Sequence, residues 1–226
     1  MTLYKYTTLI ISVTFLLFLT NCSNIGKNEE GLIEYDIVYL SNQTSVPTYL
    51  LPKTLKLKFK GYRNITSIEG FMGQFSITNI ADNKDKTNTT LLKIIENKFV
   101  STEKNIYPCF FDGLQGLKIK ITSDKKVLAG LECQKAIGYL PSATISKFDI
   151  YFTKNIKISN PNKINPYKDI DGVLMQFNIR LQNIEMQLVA RKHTKTSIPE
   201  SDFSVPEHFK KIGNKKLTEL VGQLLE

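Results

Sequence analysis

The sequence has few of the residues from which metal sites and nucleophilic active sites are built. Its 226 residues include only two histidines, His193 and His208, and three cysteines. The two histidines lie fifteen residues apart in lysine-rich surroundings, whereas zinc sites draw on clustered ligands. We therefore expect two surface histidines, no bound metal and no cofactor.

Sequence motifs of several enzyme classes are also absent. There is no G-x-S-x-G motif that would place a serine nucleophile, and no glycine-rich phosphate loop. Cys109 lies in the apolar stretch YPCFF, where burial would raise the thiol pKa and make it a poor nucleophile. Carboxylates such as Glu34, Asp36 and Glu69 could act as a glycosidase pair only if folding brings two of them together. We expect a protein that is not an enzyme.

The sequence has no apolar run of the roughly 20 residues that a membrane-spanning helix needs. The run LIISVTFLLFL, residues 9–19, has eleven residues, follows Lys5 and ends in polar residues. A charged start followed by a short apolar stretch is typical of a secretory signal peptide. We predict that residues 1–21 form this leader, and an uncleaved signal anchor is the alternative.

The last three residues of the leader and the next residue read LTNC, residues 19–22, which resembles the lipobox of bacterial lipoproteins. In that family the cysteine receives a diacylglyceryl group, and the leader is cut immediately before it. Asn21 departs from the Gly, Ala or Ser that usually precedes the cysteine. The resemblance implies that Cys22 is lipidated and anchors the chain to a membrane of the cell envelope. We expect the outer membrane, with the protein facing either the periplasm or the cell surface.

The rest of the chain has the size of one secreted domain. Residues 22–30 are polar and form a tether, and residues 31–226 fall within the size range of one all-β domain. The formal net charge of +9 could attract nucleic acid or anionic lipid. Secretion and the absence of any nucleic-acid-binding motif argue against a nucleic-acid partner. The lysines are dispersed along strand-like segments such as TLKLKFK, which favours a solvated sheet face.

Apolar and polar residues alternate along most of the chain, which is the pattern of half-buried strands. In TLKLKFK, for example, Leu55, Leu57 and Phe59 alternate with lysines. The alternation recurs in LIEYDIVYL, FMGQFSI, LKIKI, KFDIYF, VLMQFNIRL and IEMQLVA. Gln182 and Asn183 would form a two-residue hairpin turn between the last two segments. Stretches such as DNKDKTN, FDGLQG and TSDKK would separate other antiparallel strands.

These patterns predict a mainly β protein of roughly nine to eleven strands in a large curved sheet or barrel. Helix is predicted only in the C-terminal stretch NKKLTELVGQLLE. There Leu217, Val221 and Leu224 fall at helical spacing, with Asn214 as a possible N-cap. Gly222 destabilises such a helix by about 1 kcal/mol relative to alanine, so packing against the sheet must stabilise it.

Cys109 and Cys133 would be left in an oxidising compartment if Cys22 is lipidated. A disulfide between them would close a loop of roughly 25 residues and contribute about 3 kcal/mol of stability. Two buried thiols are the alternative, because the sequence does not show whether the two side chains meet.

The middle and end of the chain resemble a secreted family of Gram-negative bacteria. The segments that carry the resemblance are TSDKKVLAGLECQKAIGYL, FDIYFTKNI, NPYKDIDGVLMQFNIR, NIEMQLVARK and DFSVPEHFKKI. They are similar to the GLPGLI family and closer to a neighbouring domain of unknown function, because DIDGVLM replaces the motif that names GLPGLI. The resemblance implies an open half-barrel antiparallel sheet similar to the LolA and LolB lipoprotein carriers, with helices over its concave side. Such folds hold hydrophobic ligands, although a fold does not establish a function.

We therefore expect a membrane-anchored envelope lipoprotein that binds a hydrophobic or lipid-like ligand in a half-barrel. The candidate ligand face consists of Leu55, Leu57, Phe59, Phe75, Phe148, Phe152, Met175, Phe177 and Met186. The same residues could instead simply fill the core. The alternative function is an interaction module that docks a protein or glycan partner in the envelope and holds no small ligand.

Overall fold

The computed structural model describes residues 29–140 and 146–226. The predicted leader, Cys22 and most of the tether lie outside the described residues. The elements are β1 (Glu30–Asn42), β2 (Thr54–Lys60), β3 (Arg63–Gly70), β4 (Phe75–Asp82), β5 (Thr87–Ile94), β6 (Asn97–Lys104), β7 (Lys118–Leu128), β8 (Leu131–Tyr139), β9 (Lys147–Thr153), β10 (Val173–Leu181), β11 (Ile184–Lys195), β12 (Lys210–Lys211) and α1 (Asn214–Leu225).

All twelve of these strands form one sheet, in the order β12-β6-β5-β4-β3-β2-β1-β11-β10-β9-β8-β7. Neighbouring strands are antiparallel except for the two-residue β12, which runs parallel to β6. The sheet is large, curved and unclosed. The prediction of a mainly β fold with a C-terminal helix is therefore confirmed, and the short β12 takes the strand count one above the predicted range.

The alternation of apolar and polar residues alone predicts the first and last residues of two strands. β2 and β10 begin and end where TLKLKFK and VLMQFNIRL do. The predicted turn of Gln182 and Asn183 is confirmed, because Leu181 pairs with Ile184 across it. In FMGQFSI the strand prediction is wrong at Phe71, since Phe71–Gly73 form a 3-10 turn in which Phe71 has a φ of 49°. A strand cannot continue through this left-handed backbone.

The predicted turn in TSDKK, residues 122–126, is also wrong. These residues lie inside the long edge strand β7, and the chain reverses at Ala129 and Gly130 instead, both with positive φ. The pairing of β7 with β8 shifts register between Ile121 and Lys125. Such a bulge accommodates polar residues without ending a strand.

The two faces of the sheet are covered differently. The inner face, which carries Leu55 and Phe59 of β2, contains the main hydrophobic core. It is covered by the β6–β7 loop (residues 105–117), the β9–β10 loop (residues 154–172) and α1, which contribute buried side chains to that core. The resemblance implied several helices on this side. Among the described residues α1 is the only α-helix, and the two loops supply the remaining cover.

The C-terminal helix α1 packs its apolar positions into the inner core. Leu217, Val221 and Leu225 are buried, as the helical spacing predicts. The predicted N-cap at Asn214 is wrong, because Gly213 occupies the cap position with extended backbone and Asn214 is the first helical residue. No helix in the described part of the chain is long and apolar enough to span a bilayer.

The outer face carries a smaller apolar cluster and a covering segment. Four side chains of β3 to β6 form this cluster, against which the β11–β12 segment (residues 196–209) packs Phe203 and Phe209. The segment is also held by lysines of β2: Lys58 pairs with Asp202 at 2.8 Å, and Lys60 donates to the Ile198 carbonyl at 2.8 Å. Within TLKLKFK the prediction of a solvated lysine face is therefore correct for exposed Lys56, whereas Lys58 and Lys60 bind this segment.

Candidate functional site

A cavity of about 70 Å³ lies on the inner face of the sheet, beneath the two long loops, and is partly open to solvent. Its strand side includes Tyr35, Leu57 and Phe177, and its loop side includes Phe110 and Ile164. The cavity is thus enclosed by parts of the chain that are far apart in sequence.

Strand pairing explains why these residues meet. In β2 and β3, Leu57 pairs with Thr66 and Phe59 pairs with Asn64. Because side chains alternate between the faces of a sheet, each such pair presents both side chains to the same face. The register therefore joins an apolar strip on β2 to a polar strip on β3.

Buried aromatic residues form the floor of the cavity. The Tyr35 hydroxyl donates a 2.7 Å hydrogen bond to the Leu174 carbonyl. The rings of Tyr35 and Tyr167 meet Phe177 edge to face, with centroid distances of 5.8 and 5.6 Å. Burial raises the pKa of both tyrosine hydroxyls well above the usual value, so both stay neutral.

Hydrogen bonds fix the two loops that cover the cavity. In the β9–β10 loop, the buried side-chain amide of Asn162 donates to the carbonyls of Ile170 at 2.9 Å and Gly172 at 2.8 Å within the same loop. In the β6–β7 loop, the Phe110 carbonyl accepts a 3.0 Å bond from the Arg180 amide of β10. Satisfied loop bonds of this kind make the cavity a defined feature of the fold.

The opposite side of the cavity is a polar wall, formed by Asn64, Thr66, Asn79 and Asn83. Asn79 donates a 3.3 Å hydrogen bond to the Thr90 hydroxyl. Asn83 is only 2% exposed, and neither polar atom of its side chain has a hydrogen-bond partner among the described residues. Burying an unpaired amide costs about 1–3 kcal/mol, so a hydrogen-bonding group that complements Asn83 would stabilise this wall.

The nine residues of the predicted ligand face lie in several different places in the structure. Leu55, Leu57, Phe59 and Phe177 line the inner-face cavity of about 70 Å³. The other five do not: Phe75 and Met186 line a cavity of about 20 Å³ near the turn between β10 and β11, Phe148 lines one of about 10 Å³, and Phe152 and Met175 are buried in the core. Sequence reasoning missed the loop residues and the whole polar wall.

The two described cysteines are free and buried. Of the two alternatives left open by the sequence, the structure has the pair of thiols. Burial raises the pKa of Cys109 to about 12, and the Cys133 thiol donates a 3.3 Å hydrogen bond to the Leu131 carbonyl. Neither thiol has the environment of a nucleophile.

The two histidines differ in their surroundings. His208 is exposed, as predicted. His193 is only partly exposed: it stacks on Phe59 with 6.2 Å between ring centroids, and its Nε2 atom is buried without a partner in the described ranges. Burial lowers the pKa of His193, and no group of three metal-ligating side chains occurs in the described part of the chain.

The three carboxylates considered for glycoside hydrolysis do not line the cavity. Glu34 and Asp36 both pair with Arg191, at 3.1 and 3.2 Å. Glu69 is exposed on β3. The ion pairs with Arg191 give two of these groups a structural role.

Comparison with known proteins shows a similarity of fold only. Neither a protein-family model nor a curated protein matches the chain. The structure of PNGF-II in C2 space group is similar over 86% of this chain and 33% of its own, with a TM-score of 0.55 and 11% sequence identity. This chain therefore spans about a third of the length of that protein. At so low an identity, the similarity shows that the two proteins share a curved β fold. It does not assign an activity to this chain.

Proposed function

We propose that this chain is a non-enzymatic lipoprotein of the bacterial cell envelope that binds a hydrophobic or lipid-like ligand in the inner-face cavity. The observation that carries the proposal is the cavity itself, with apolar side chains such as Leu57, Phe110 and Phe177 on most of its surface. Small-molecule sites are typically concave and mostly apolar, with a few placed polar groups.

The size of the cavity limits what it can enclose. Pockets that bury a drug-sized ligand measure roughly 300–1,000 Å³, whereas this cavity measures about 70 Å³. We therefore propose that one end of an acyl chain, or a single ring, enters between the loops while the rest of the ligand stays outside.

The proposed anchor would lie at the same end of the domain as the cavity. The Glu29 amide donates a 2.8 Å hydrogen bond to the Lys157 carbonyl in the β9–β10 loop, and the next residue of that loop, Ile158, lines the cavity. Cys22 precedes Glu29 by seven residues, a distance of at most about 25 Å for extended chain. A lipid-modified Cys22 would thus keep the cavity close to a membrane from which a lipid could be taken.

Lipidation of Cys22 is tested by metabolic labelling with radioactive palmitate in a Gram-negative host. The wild-type chain should be labelled and the Cys22→Ser variant should not. An unlabelled wild-type chain, in cells where a known lipoprotein is labelled, would contradict the anchor.

A docking module remains the second candidate, because one end of the sheet exposes apolar side chains. Tyr49, Met72 and Ile95 are 76%, 103% and 58% exposed, and they lie in the β1–β2, β3–β4 and β5–β6 connections, which all leave the same end of the antiparallel sheet. Exposed apolar residues grouped in this way are a feature of interaction surfaces. A protein or glycan partner in the envelope would then replace the small ligand.

Native mass spectrometry with organic extraction distinguishes the two candidates. Residues 23–226, which include every described residue, are purified from a bacterial periplasm as wild type, Leu57→Gln and Leu224→Gln. We expect a discrete lipid mass on the wild type and on Leu224→Gln, whose half-buried side chain does not line the cavity, and its loss from Leu57→Gln. A protein free of ligand, which acquires none from an envelope extract, would favour the docking module.

A further inference from the structure

The polar wall of the cavity carries four amide or hydroxyl side chains, which a purely apolar pocket does not need. Thr66 of β3 pairs with Asn79 of β4, and Asn64 pairs with Ala81 two positions further along β4. Asn83 follows directly after β4, where its amide N–H donates to the Tyr62 carbonyl at 2.9 Å. Sheet register and a fixed turn thus bring four amide or hydroxyl side chains to one side of the cavity.

Asn79 and Asn83 are the buried members of this wall, and of these two Asn83 is the one whose side chain lacks a hydrogen-bond partner among the described residues. Its backbone is held by Tyr62, but its side-chain Oδ1 and Nδ2 atoms are buried with no partner in the part of the chain that the structure describes. A side-chain amide has one acceptor oxygen and two N–H donors. The group that complements it must therefore both accept and donate hydrogen bonds.

The described part of the chain brings no charged side chain to the cavity. Among the described residues that line it, none is Asp, Glu, Lys, Arg or His, and the single ionisable group is Tyr35, whose hydroxyl is already bonded to the Leu174 carbonyl. A carboxylate or phosphate buried here would have no counter-charge, and burying an unpaired charge is strongly unfavourable. A neutral group faces no such penalty.

We propose that the ligand of this cavity is an uncharged amphiphile, an apolar chain or ring that ends in a carboxamide or hydroxyl group bonded to Asn83. This inference rests on the proposed function, because it concerns the same cavity. The cavity should therefore bind neutral molecules such as fatty amides, fatty alcohols and acylglycerols more tightly than free fatty acids and phosphate esters of similar length. The polar end lies against Asn83, and the apolar part lies along Leu57 and Phe177.

Competition binding tests this selectivity on residues 23–226. The neutral fluorescent probe N-phenyl-1-naphthylamine reports occupancy of the cavity, and the chain has no tryptophan to interfere with its signal. Octanamide, 1-octanol and octanoate are compared as competitors at neutral pH. We expect the two neutral competitors to displace the probe at concentrations at least tenfold lower than octanoate does.

The variant Asn83→Leu, which keeps the side-chain size, should lower the affinity for octanamide five- to tenfold more than it lowers the affinity for the probe, which has no carboxamide or hydroxyl group. The comparison of competitors on the wild-type protein needs no variant and holds even if Asn83→Leu does not fold. Equal displacement by octanoate and octanamide, with the probe bound, would overturn the neutral-ligand inference and leave the proposed function standing. Failure of the probe and of all three competitors to bind would overturn both.

Discussion

The hydroxyl of Tyr35 on β1 donates a 2.7 Å hydrogen bond to the backbone carbonyl of Leu174 on β10, although β11 lies between these two strands. The bond therefore reaches across a neighbouring strand along the inner face. Both residues line the cavity, so this buried bond joins two of the strands that form its floor.

Loss of the Tyr35 hydroxyl should destabilise the protein without changing its packing. Tyr35→Phe removes the donor and leaves the buried Leu174 carbonyl without its partner, which costs about 1–3 kcal/mol. Urea unfolding should show a lower midpoint with an unchanged slope. Tyr49→Phe is the control, because Tyr49 is 76% exposed and its variant should match the wild type. Equal midpoints for Tyr35→Phe and the wild type would contradict this role.

The ion pairs of β2 should control the mobility of the β11–β12 segment. Lys60 contacts Glu30 at 3.3 Å and Glu200 at 3.2 Å and donates to the Ile198 carbonyl. Lys60→Met removes these contacts, so hydrogen exchange should accelerate at least fivefold in residues 196–209.

The global free energy of unfolding should fall by less than about 1 kcal/mol in Lys60→Met, because ion pairs that are partly open to solvent contribute little. Lys56→Met is the matched control, since Lys56 is an exposed lysine of the same strand with no ion pair within the described ranges. Identical exchange in Lys60→Met and Lys56→Met would show that the contacts of Lys60 do not hold the segment.

Asp112 should make the stability of the protein depend on pH. Burial raises its pKa from 3.8 to about 6, against the opposing effect of Arg180. Between these two values the folded protein binds more protons than the unfolded chain, so the free energy of unfolding falls as the pH rises through this window.

Asp112→Asn removes this loss of stability. Its stabilising effect should be about 1–2 kcal/mol larger at pH 7.5 than at pH 4, after allowing for the partial exposure of the group. Urea unfolding at the two pH values measures the difference, with exposed Asp85→Asn as the control. A variant that is stabilised equally at both pH values would contradict the raised pKa.

The two buried thiols should be unreactive in the folded protein and titratable in the unfolded one. In the Cys22→Ser chain, Cys109 and Cys133 are the remaining cysteines. A thiol reagent should label neither in native buffer near neutral pH, because burial raises the pKa of both. In denaturant without reductant it should label two. Labelling of none under these denaturing conditions would mean that a disulfide forms.

The sequence predicts the strands well where one face is apolar and the other polar. β2 is such a strand, since its leucines and Phe59 face the core and its lysines do not. The prediction fails at Phe71, where two apolar residues with positive φ interrupt the pattern. Alternation reports which side chains can be buried, but it does not report a left-handed backbone at non-glycine residues.

The cavity was only partly predictable, for a different reason. Four of the nine proposed ligand-face residues line it, because alternation identifies the inner face of a strand. The polar wall was missed because Asn64, Thr66 and Asn79 at alternate positions look like a solvated face. They are enclosed by loops such as that of Phe110, whose position depends on contacts far apart in sequence. Local patterns carry no information about such contacts.

Methyl NMR tests most directly whether the inner-face cavity binds a hydrophobic ligand. Residues 23–226 are labelled at leucine and isoleucine methyls and titrated with N-phenyl-1-naphthylamine. We predict saturable shifts at Leu57, Ile164 and Ile179, which line the cavity, and none at Ile184 and Leu225, which line the smaller cavity near the β10–β11 turn. Unchanged spectra at saturating probe, or shifts confined to Ile184 and Leu225, would contradict a ligand site at this cavity.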